Sequence, residues 1–199
     1  MANFKDKNVL VTGGAGFIGS HLCDHLLTEP IAKLIALDNL YLGKEENLSE
    51  ATADPRFKFI KSDVTEYESL KKIIGDNEID VVFHLAVIPL EASLENPAWC
   101  FDQNIKMTQN LLEIIRLSDR PISIIAYSSS EVYGTAIYTP MDENHPLLGH
   151  TPYAASKSAS DLLVYSYGKT FGIDFSIVRP FNNFGPRQNE KNYAGVIPI

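Results

Sequence analysis

The stretch Val9-Leu10-Val11-Thr12-Gly13-Gly14-Ala15-Gly16-Phe17-Ile18-Gly19 decides the fold. An aliphatic run of strand length ends in glycines spaced G-x-x-G-x-x-G, and the residues after them begin a helical pattern of apolar positions. Glycines at that spacing allow a tight turn, let backbone amides approach a pyrophosphate, and let a helix pack closely on the strand. The open N–H groups and dipole of the helix start favour negative charge there. Outward from this point, short apolar runs recur at 8–12, 34–37, 57–60, 81–85, 122–127 and 175–178, separated by amphipathic stretches that include 17–27, 69–74, 102–117 and 154–170. That alternation predicts an α/β fold, a doubly wound parallel sheet of the Rossmann type, with its ligand crevice at the carboxyl ends of the strands.

The composition is that of a chain able to bury one ordinary core: 199 residues, 45% hydrophobic and 21% charged. Lys and Arg number 17 against 25 Asp and Glu, a net charge of −8 without a basic run, so no nucleic-acid partner is expected. No apolar stretch reaches the roughly 20 residues of a bilayer span, and the start lacks a secretory signal, so no membrane association and a cytoplasmic location are expected. Cys23 and Cys100 stand in no metal-like or paired spacing. His21 and His25 are four apart on one helix with no carboxylate ligand placed beside them, so no metal is expected. Residues 135–151, rich in Pro, His and acidic residues, read as a mobile surface loop. The end, Val196-Ile197-Pro198-Ile199, lies inside an apolar segment without a cap and reads as an interrupted chain.

Several candidate residues follow strands. Asp38 ends the second, where a carboxylate can accept two hydrogen bonds from an adenosine ribose and repel a 2′-phosphate, favouring NAD over NADP; the alternative is a turn or cap residue. Asp63 follows the third, where it can meet an adenine amino group while Val64 packs on the ring, or can cap the next helix. Tyr153-Ala154-Ala155-Ser156-Lys157 places a phenol and an ammonium on one helix face. A nearby ammonium and a cationic nicotinamide both favour phenolate, so Tyr153 can take a proton from a sugar hydroxyl as hydride leaves the same carbon. Lys157 would also hydrogen-bond the nicotinamide ribose. Alone, the same pattern fits a packing tyrosine. In Ser128-Ser129-Ser130-Glu131 a hydroxyl can hold the reacting oxygen, though spacing does not decide which, and three serines equally satisfy a loop's own backbone. Glu131 either handles protons beside a forming carbonyl or is a solvated loop acid.

With TGGAGFIG (12–19), DNL (38–40), SDVT (62–65), HLA (84–86), SSSEVYG (128–134), YAASK (153–157) and RPFNNFGPRQ (179–188) in this order, the sequence resembles the extended short-chain dehydrogenase/reductase family, in particular its NAD-dependent nucleotide-sugar epimerases and dehydratases. The resemblance implies a tightly held NAD contacted by Gly13, Gly16, Phe17, Ile18, Gly19, Asp38, Asn39, Asp63, Val64, Leu85, Ala86, Asn104, Tyr153 and Lys157. It implies Ser129 as the hydroxyl that works with Tyr153 and Lys157. Ser130, Asn182 and Arg187 would touch substrate, Arg187 near a phosphate. The implied reaction oxidises C4 of a UDP-, dTDP- or GDP-linked sugar, which is then reduced from the other face, dehydrated or decarboxylated, in a homodimer.

Glu131 matches the base of the 4,6-dehydratases, which carry Asp where this chain has Ser130. Ser-Glu is also the pattern of UDP-glucuronate decarboxylases, while many 4-epimerases have no carboxylate at that position. The pattern leans to a 4,6-dehydratase, with a 4-epimerase of the UDP-glucose type or a decarboxylase as alternatives, and a non-catalytic NAD-binding module as the alternative of another class. In His84-Leu85-Ala86-Val87-Ile88-Pro89 the chain departs after HLA, where relatives continue with small and polar residues near the nicotinamide. Relatives run about half as long again. Residues 1–180 are therefore expected to form the NAD-binding domain and 181–199 to begin a truncated substrate region, the smaller C-terminal substrate domain being largely absent.

Overall fold

The structure, a computed structural model, describes residues 4–189. Its strands are β1 (Asn8–Thr12), β2 (Lys33–Asp38), β3 (Phe57–Lys61), β4 (Val81–His84), β5 (Ser123–Tyr127) and β6 (Phe175–Val178). Its helices are α1 (Phe17–Thr28), α2 (Tyr67–Asp76), α3 (Leu90–Glu95), α4 (Pro97–Arg116) and α5 (Pro152–Phe171). The strands form one sheet in the order β3-β2-β1-β4-β5-β6, with every pairing parallel. This is the expected doubly wound sheet. The strand order reverses between β1 and β4, so the loops that leave these neighbours diverge and open a crevice at their carboxyl ends.

Both faces of the sheet are covered, which is why its strands read as unbroken apolar runs. Val9, Val11, Leu34, Ala36, Val81 and Phe83 pack with Cys23 and Leu26 of α1. The alternate residues Leu10, Ile35, Leu37, Val82 and Ile124 pack with Leu70, Leu111, Leu112 and Val164 from α2, α4 and α5. Each such side chain contributes about 1.5–3 kcal/mol by leaving water. The start of α5 is fixed by Thr151, whose hydroxyl accepts from Ala154 N at 3.0 Å, and by Pro152 in the first turn. Its end is fixed by Gly172 in the left-handed region, φ 73°.

The structure departs from the periodicity argument at three places. Helix α4 begins five residues before its apolar pattern because Pro97 presets the first turn, whose Trp99 and Phe101 are exposed and follow no core period. Helix α3 was not expected, six residues being too few to show a period. Residues 135–151 are irregular, yet His145 is buried within them: its Nε2 accepts from Ile137 N at 2.9 Å, and its ring stands edge-on to Tyr133. Among the described residues no helix is long and apolar enough to cross a membrane. The apolar end at Val196-Ile197-Pro198-Ile199 lies outside the described residues, as does the region expected at 181–199 beyond residue 189.

Candidate active site

The glycine turn lies hard against the backbone that leaves β4. Gly13 takes φ +70°, and a Cβ on it would come within 2.8 Å of Ala86 N. A Cβ on Gly19 would overlap the Gly13 carbonyl, so helix and turn approach as they do only because both lack side chains. Gly14, which the spacing argument passes over, serves packing: its Cβ would meet the Ala36 methyl at 2.7 Å, where the turn crosses β2. Helix α1 starts with neither a side-chain cap nor an acidic residue in its first turn, leaving its positive end open to an anion.

On one side of this turn is a cavity of about 130 Å³ lined by Asp38, Asn39, Asp63, Val64, Leu85 and Ala86, with Tyr41, Leu42 and Met107 around them. The buried Asp38 carboxylate accepts from Ala15 N at 3.0 Å and from Leu40 N at 2.8 Å. Burial raises its pKa against the pull of those two amides. A carboxylate has about four acceptor positions, so Asp38 serves the local turn and keeps acceptor capacity for two hydroxyls. Asp63 accepts from the Thr65 amide at 2.8 Å, the Thr65 hydroxyl at 2.7 Å and Asn39 Nδ2 at 2.8 Å. Burial pushes its pKa up, but these bonds outweigh burial and hold it below the ordinary carboxylate value. Asp63 does not cap α2, whose cap position is Glu66 without a side-chain bond, so the capping alternative falls.

On the other side, sharing Gly13, Gly16, Leu85 and Val87, is a cavity of about 610 Å³. Phe17, Ile18 and Gly19 of α1, Ser128, Ser129, Ser130 and Glu131 after β5, Tyr153 and Lys157 of α5, and Asn182 all reach its wall. The Ser129 hydroxyl accepts from Glu131 N at 3.2 Å and stands near the Tyr153 phenol, holding its pKa down against burial. Lys157 is buried and donates to the Tyr127 carbonyl at 2.5 Å. Burial brings its ammonium down to about 8, with Asp161 acting in the opposite sense.

Tyr153 departs from the expectation that its neighbour lowers it. Burial pushes the phenol up to about 12, Ser129 works against that, and the Glu131 carboxylate adds to it. The physical reason is burial first, while the Lys157 ammonium, which would favour phenolate, is turned to the Tyr127 carbonyl. Pro89, the residue that departs from the family pattern, lines this cavity and precedes α3. The pair of cavities fits a dinucleotide: a carboxylate with spare acceptors at one end, a side-chain-free turn in the middle, and hydroxyls and an ammonium at the other. Ser128 adds a buried hydroxyl with no partner in the wall of the second cavity.

Two candidates lie elsewhere. Asn104, which the resemblance implies both as a cofactor contact and as a residue that helps position the site through backbone or water contacts, is buried outside both cavities. Its Oδ1 accepts from Ile88 N at 2.8 Å, and its Nδ2 donates to Ile88 O at 3.1 Å and Ser156 Oγ at 3.0 Å. Its polar groups are consumed in tying α4 to the loop after β4 and to α5. Arg187, expected near a substrate phosphate, instead binds Asp24 of α1 at 2.6 Å and Glu50 at 3.2 Å, outside the larger cavity. The two carboxylates already satisfy its guanidinium. Sequence reasoning also missed wall residues, chiefly Tyr41 and Met107 on one side and Phe181 and Phe184 on the other. The last two are exposed aromatics on a segment without periodicity, which was the one available signal.

A family model described as GDP-mannose 4,6 dehydratase matches residues 10–198. A putative UDP-glucose 4-epimerase of Methanocaldococcus jannaschii is 39% identical over 192 residues, 96% of this chain and 61% of that one. A UDP-N-acetylglucosamine 4-epimerase from Methanobrevibacter ruminantium, solved with UDP-N-acetylmuramic acid, superimposes with a TM-score of 0.88 at 39% identity, over 98% of this chain and 61% of that one. The dTDP-glucose 4,6-dehydratase DesIV from Streptomyces venezuelae, solved with NAD bound, gives 0.88 at 35% identity, over 96% and 60%. The chain thus spans about 61% of the length of such relatives. Fold, motif order and this match together make the chain a member of the GDP-mannose 4,6 dehydratase family, among the NAD-dependent nucleotide-sugar epimerases and dehydratases of the extended short-chain dehydrogenase/reductases.

Proposed function

We propose that the enzyme to which this chain belongs binds NAD and oxidises a hydroxyl of a nucleoside-diphosphate sugar, at C4, and that Glu131 then drives loss of water as in a 4,6-dehydratase. The carrying observation is that Ser129, Glu131, Tyr153 and Lys157 converge on one cavity that shares Gly13, Gly16, Leu85 and Val87 of its wall with the Asp38 cavity. Asp38 and Asp63 would hold the adenosine half, the Gly13 turn and the start of α1 the pyrophosphate, and Lys157 the nicotinamide ribose. Bound there, NAD would supply the two-electron acceptor and a positive charge near Tyr153.

The chain's own residues handle the protons. Tyr153 takes the proton of the sugar hydroxyl, and the raised pKa of the phenol makes its phenolate a strong base once formed. Ser129 holds the same oxygen as it becomes a carbonyl; the phenolate that Tyr153 must be to accept the proton would be favoured by the positive charges of bound NAD and of Lys157, and is neutralised as the proton arrives. Glu131, exposed in the turn after Ser129, takes the proton made acidic by the new carbonyl. A second reading, 4-epimerisation, is favoured by Ser130, which offers no carboxyl to protonate a departing hydroxyl, and by the 4-epimerases among the relatives. The outer faces of α4 and α5, with Leu162 and Tyr165 exposed, support a homodimer, which sedimentation of the protein would test.

The test is to incubate the enzyme with NAD and UDP-, dTDP- and GDP-sugars in deuterated water and weigh the products. Loss of one water with deuterium gained supports the 4,6-dehydratase; unchanged mass with a new retention time gives the 4-epimerase. Tyr153→Phe is expected to keep NAD bound yet form no keto-sugar. Glu131→Gln is expected to oxidise C4 without losing water. Unchanged turnover by Tyr153→Phe refutes the assignment.

A further inference from the structure

Beside Lys157 lies a pair of charges that lines neither of the two cavities and has no part in the reaction above. Asp161, one turn further along α5, has a side chain only 4% exposed; its Oδ2 accepts from Arg179 Nε at 2.9 Å, and the Arg179 side chain is 18% exposed. Arg179 follows β6 directly. Its Nη1 donates to the Tyr133 hydroxyl at 2.9 Å, and its guanidinium carbon stands 5.1 Å from the centre of the Tyr133 ring. Tyr133 is buried and closes the turn Ser130–Tyr133, which carries Glu131 and follows Ser129. Backbone bonds fasten the same segment to the end of β6, from Ser128 N to Val178 O at 2.7 Å and from Ser130 N to Pro180 O at 3.0 Å. The two elements that carry the proposed catalytic groups, α5 and the turn after β5, therefore meet the end of β6 at one largely buried ion pair.

Such a pair is a poor source of stability, because desolvating two charges cancels most of their attraction, while breaking it leaves one charge stranded. Its placement is the informative property. The groups facing Lys157 come from every side. Helix α5 itself gives Tyr153 and Asp161; β4 gives His84, held neutral by burial; β5 gives the Tyr127 carbonyl and its half-buried phenol, raised by burial. The turn after β5 gives Ser129 and, on Tyr153, the Glu131 charge, and beyond β6 stands Arg179. Helix α4 presents uncharged Asn104 and Thr108, bonded to Ser156 and Ser160 on either side of Lys157. Asp161 is the charge among these that favours the ammonium.

We propose that Asp161 and Arg179 are positioning residues of this site: Asp161 is the counter-charge that keeps Lys157 an ammonium, and Arg179, sharing that carboxylate, holds the Tyr133 turn in place against α5. The inference rests on the catalytic reading of Lys157, but its first test needs no nucleotide. In protein labelled at lysine Cε, with Lys157 identified through Lys157→Met, Lys157 is expected to titrate at about 8. The Asp161 carboxyl carbon is expected to show an inflection at the same pH. Asp161→Asn should lower the Lys157 midpoint by about one unit, and Asp161→Glu should restore most of the loss. Should Asp161→Asn not fold, Asp161→Asn combined with Arg179→Gln strands no charge and should show a smaller fall in the same direction, because a cation that opposed the ammonium leaves with the carboxylate. An unmoved midpoint in the folded variants, or no inflection at Asp161 in the unaltered protein, overturns the proposal. Calorimetry of NAD binding against pH separates the two readings. Affinity should fall as pH passes the Lys157 midpoint, about one unit earlier in Asp161→Asn; a midpoint that moves while NAD affinity does not follow leaves the coupling standing and refutes the role given to Lys157.

Discussion

Acid is expected to weaken this fold through His84. The imidazole is buried between β1 and α4, with Nδ1 2.9 Å from Thr12 Oγ1 and Nε2 3.3 Å from Thr108 Oγ1. Burial, assisted by the positive charge of Lys157, lowers its pKa from 6.5 to about 3. In the unfolded chain the ring takes up its proton near 6.5, so between about 6.5 and 3 the unfolded state holds more protons and stability falls as pH falls. One unit is about 1.4 kcal/mol, and going from pH 7 to about pH 4 removes about 3 kcal/mol, a large share of the 5–15 kcal/mol typical of a domain. Other groups titrate in the same range: Asp63 and Asp54, held low, add to the loss, whereas Asp38, held high, opposes it. The useful quantity is therefore the difference from His84→Gln, whose amide can donate and accept but does not titrate. Urea unfolding followed by circular dichroism at both pH values should show the unaltered protein losing about 3 kcal/mol more than the variant. Equal losses in the two proteins would falsify this account, as would imidazolium carbon shifts for His84 at about pH 5.

Two glycines with the same backbone sign should behave differently. Gly172→Ala places a Cβ in open space at φ +73° and should cost about 1 kcal/mol in thermal unfolding without changing NAD affinity. Gly13→Ala adds a Cβ 2.8 Å from Ala86 N at φ +70°, so calorimetry should find NAD affinity down by about tenfold or more besides a larger loss of stability. On the alkaline side, Lys157 is held at about 8 against 10.5 in a free chain. The unfolded state therefore keeps more protons between those values, and the Lys157 contribution makes stability rise with pH across that window. Lys157→Met should abolish that rise in urea unfolding, and a slope shared by both proteins would refute it.

The parts of the fold that were legible in sequence are those where one physical demand acts alone. Strands β1 and β6 coincide with their apolar runs, and β1 must fill both faces of the sheet, so nothing interrupts it. The start of helix α4 falls outside its apolar pattern because a proline, not a core period, sets its first turn. Candidate residues that follow strands directly, such as Asp38, Asp63 and Ser129, lie in the crevice because the topology carries every parallel strand's end to the same edge. Asn104 and Arg187 could not be read this way. The first is decided by the free backbone of Ile88, the second by Asp24 on another helix, and neither partner is visible from spacing. The direction of the Tyr153 shift was lost for a similar reason: the sequence places an ammonium four residues away but does not show that it turns toward the Tyr127 carbonyl.

The buried polar groups behind the site explain which base carries charge. His84 and Lys157 lie close enough that each disfavours charge on the other's position, so the interior accommodates one cation more readily than two. Only hydroxyls face the ring nitrogens of His84, and a hydroxyl donates or accepts as required, which suits a neutral imidazole and gives no advantage to an imidazolium. Lys157 has a carboxylate one turn away and a carbonyl at 2.5 Å, acceptors that reward an ammonium. Asp161 is bonded to Arg179 and acts on Lys157 only through space, so the carboxylate that favours the ammonium also binds the residue that reaches the Tyr133 turn from the end of β6. On the proposal above, the charge of Lys157 and the placement of Ser129 and Glu131 both depend on this side chain. A change at Asp161 should therefore disturb proton transfer and substrate placement together, whereas a change at His84 that preserves neutrality should disturb stability and leave the Lys157 charge in place.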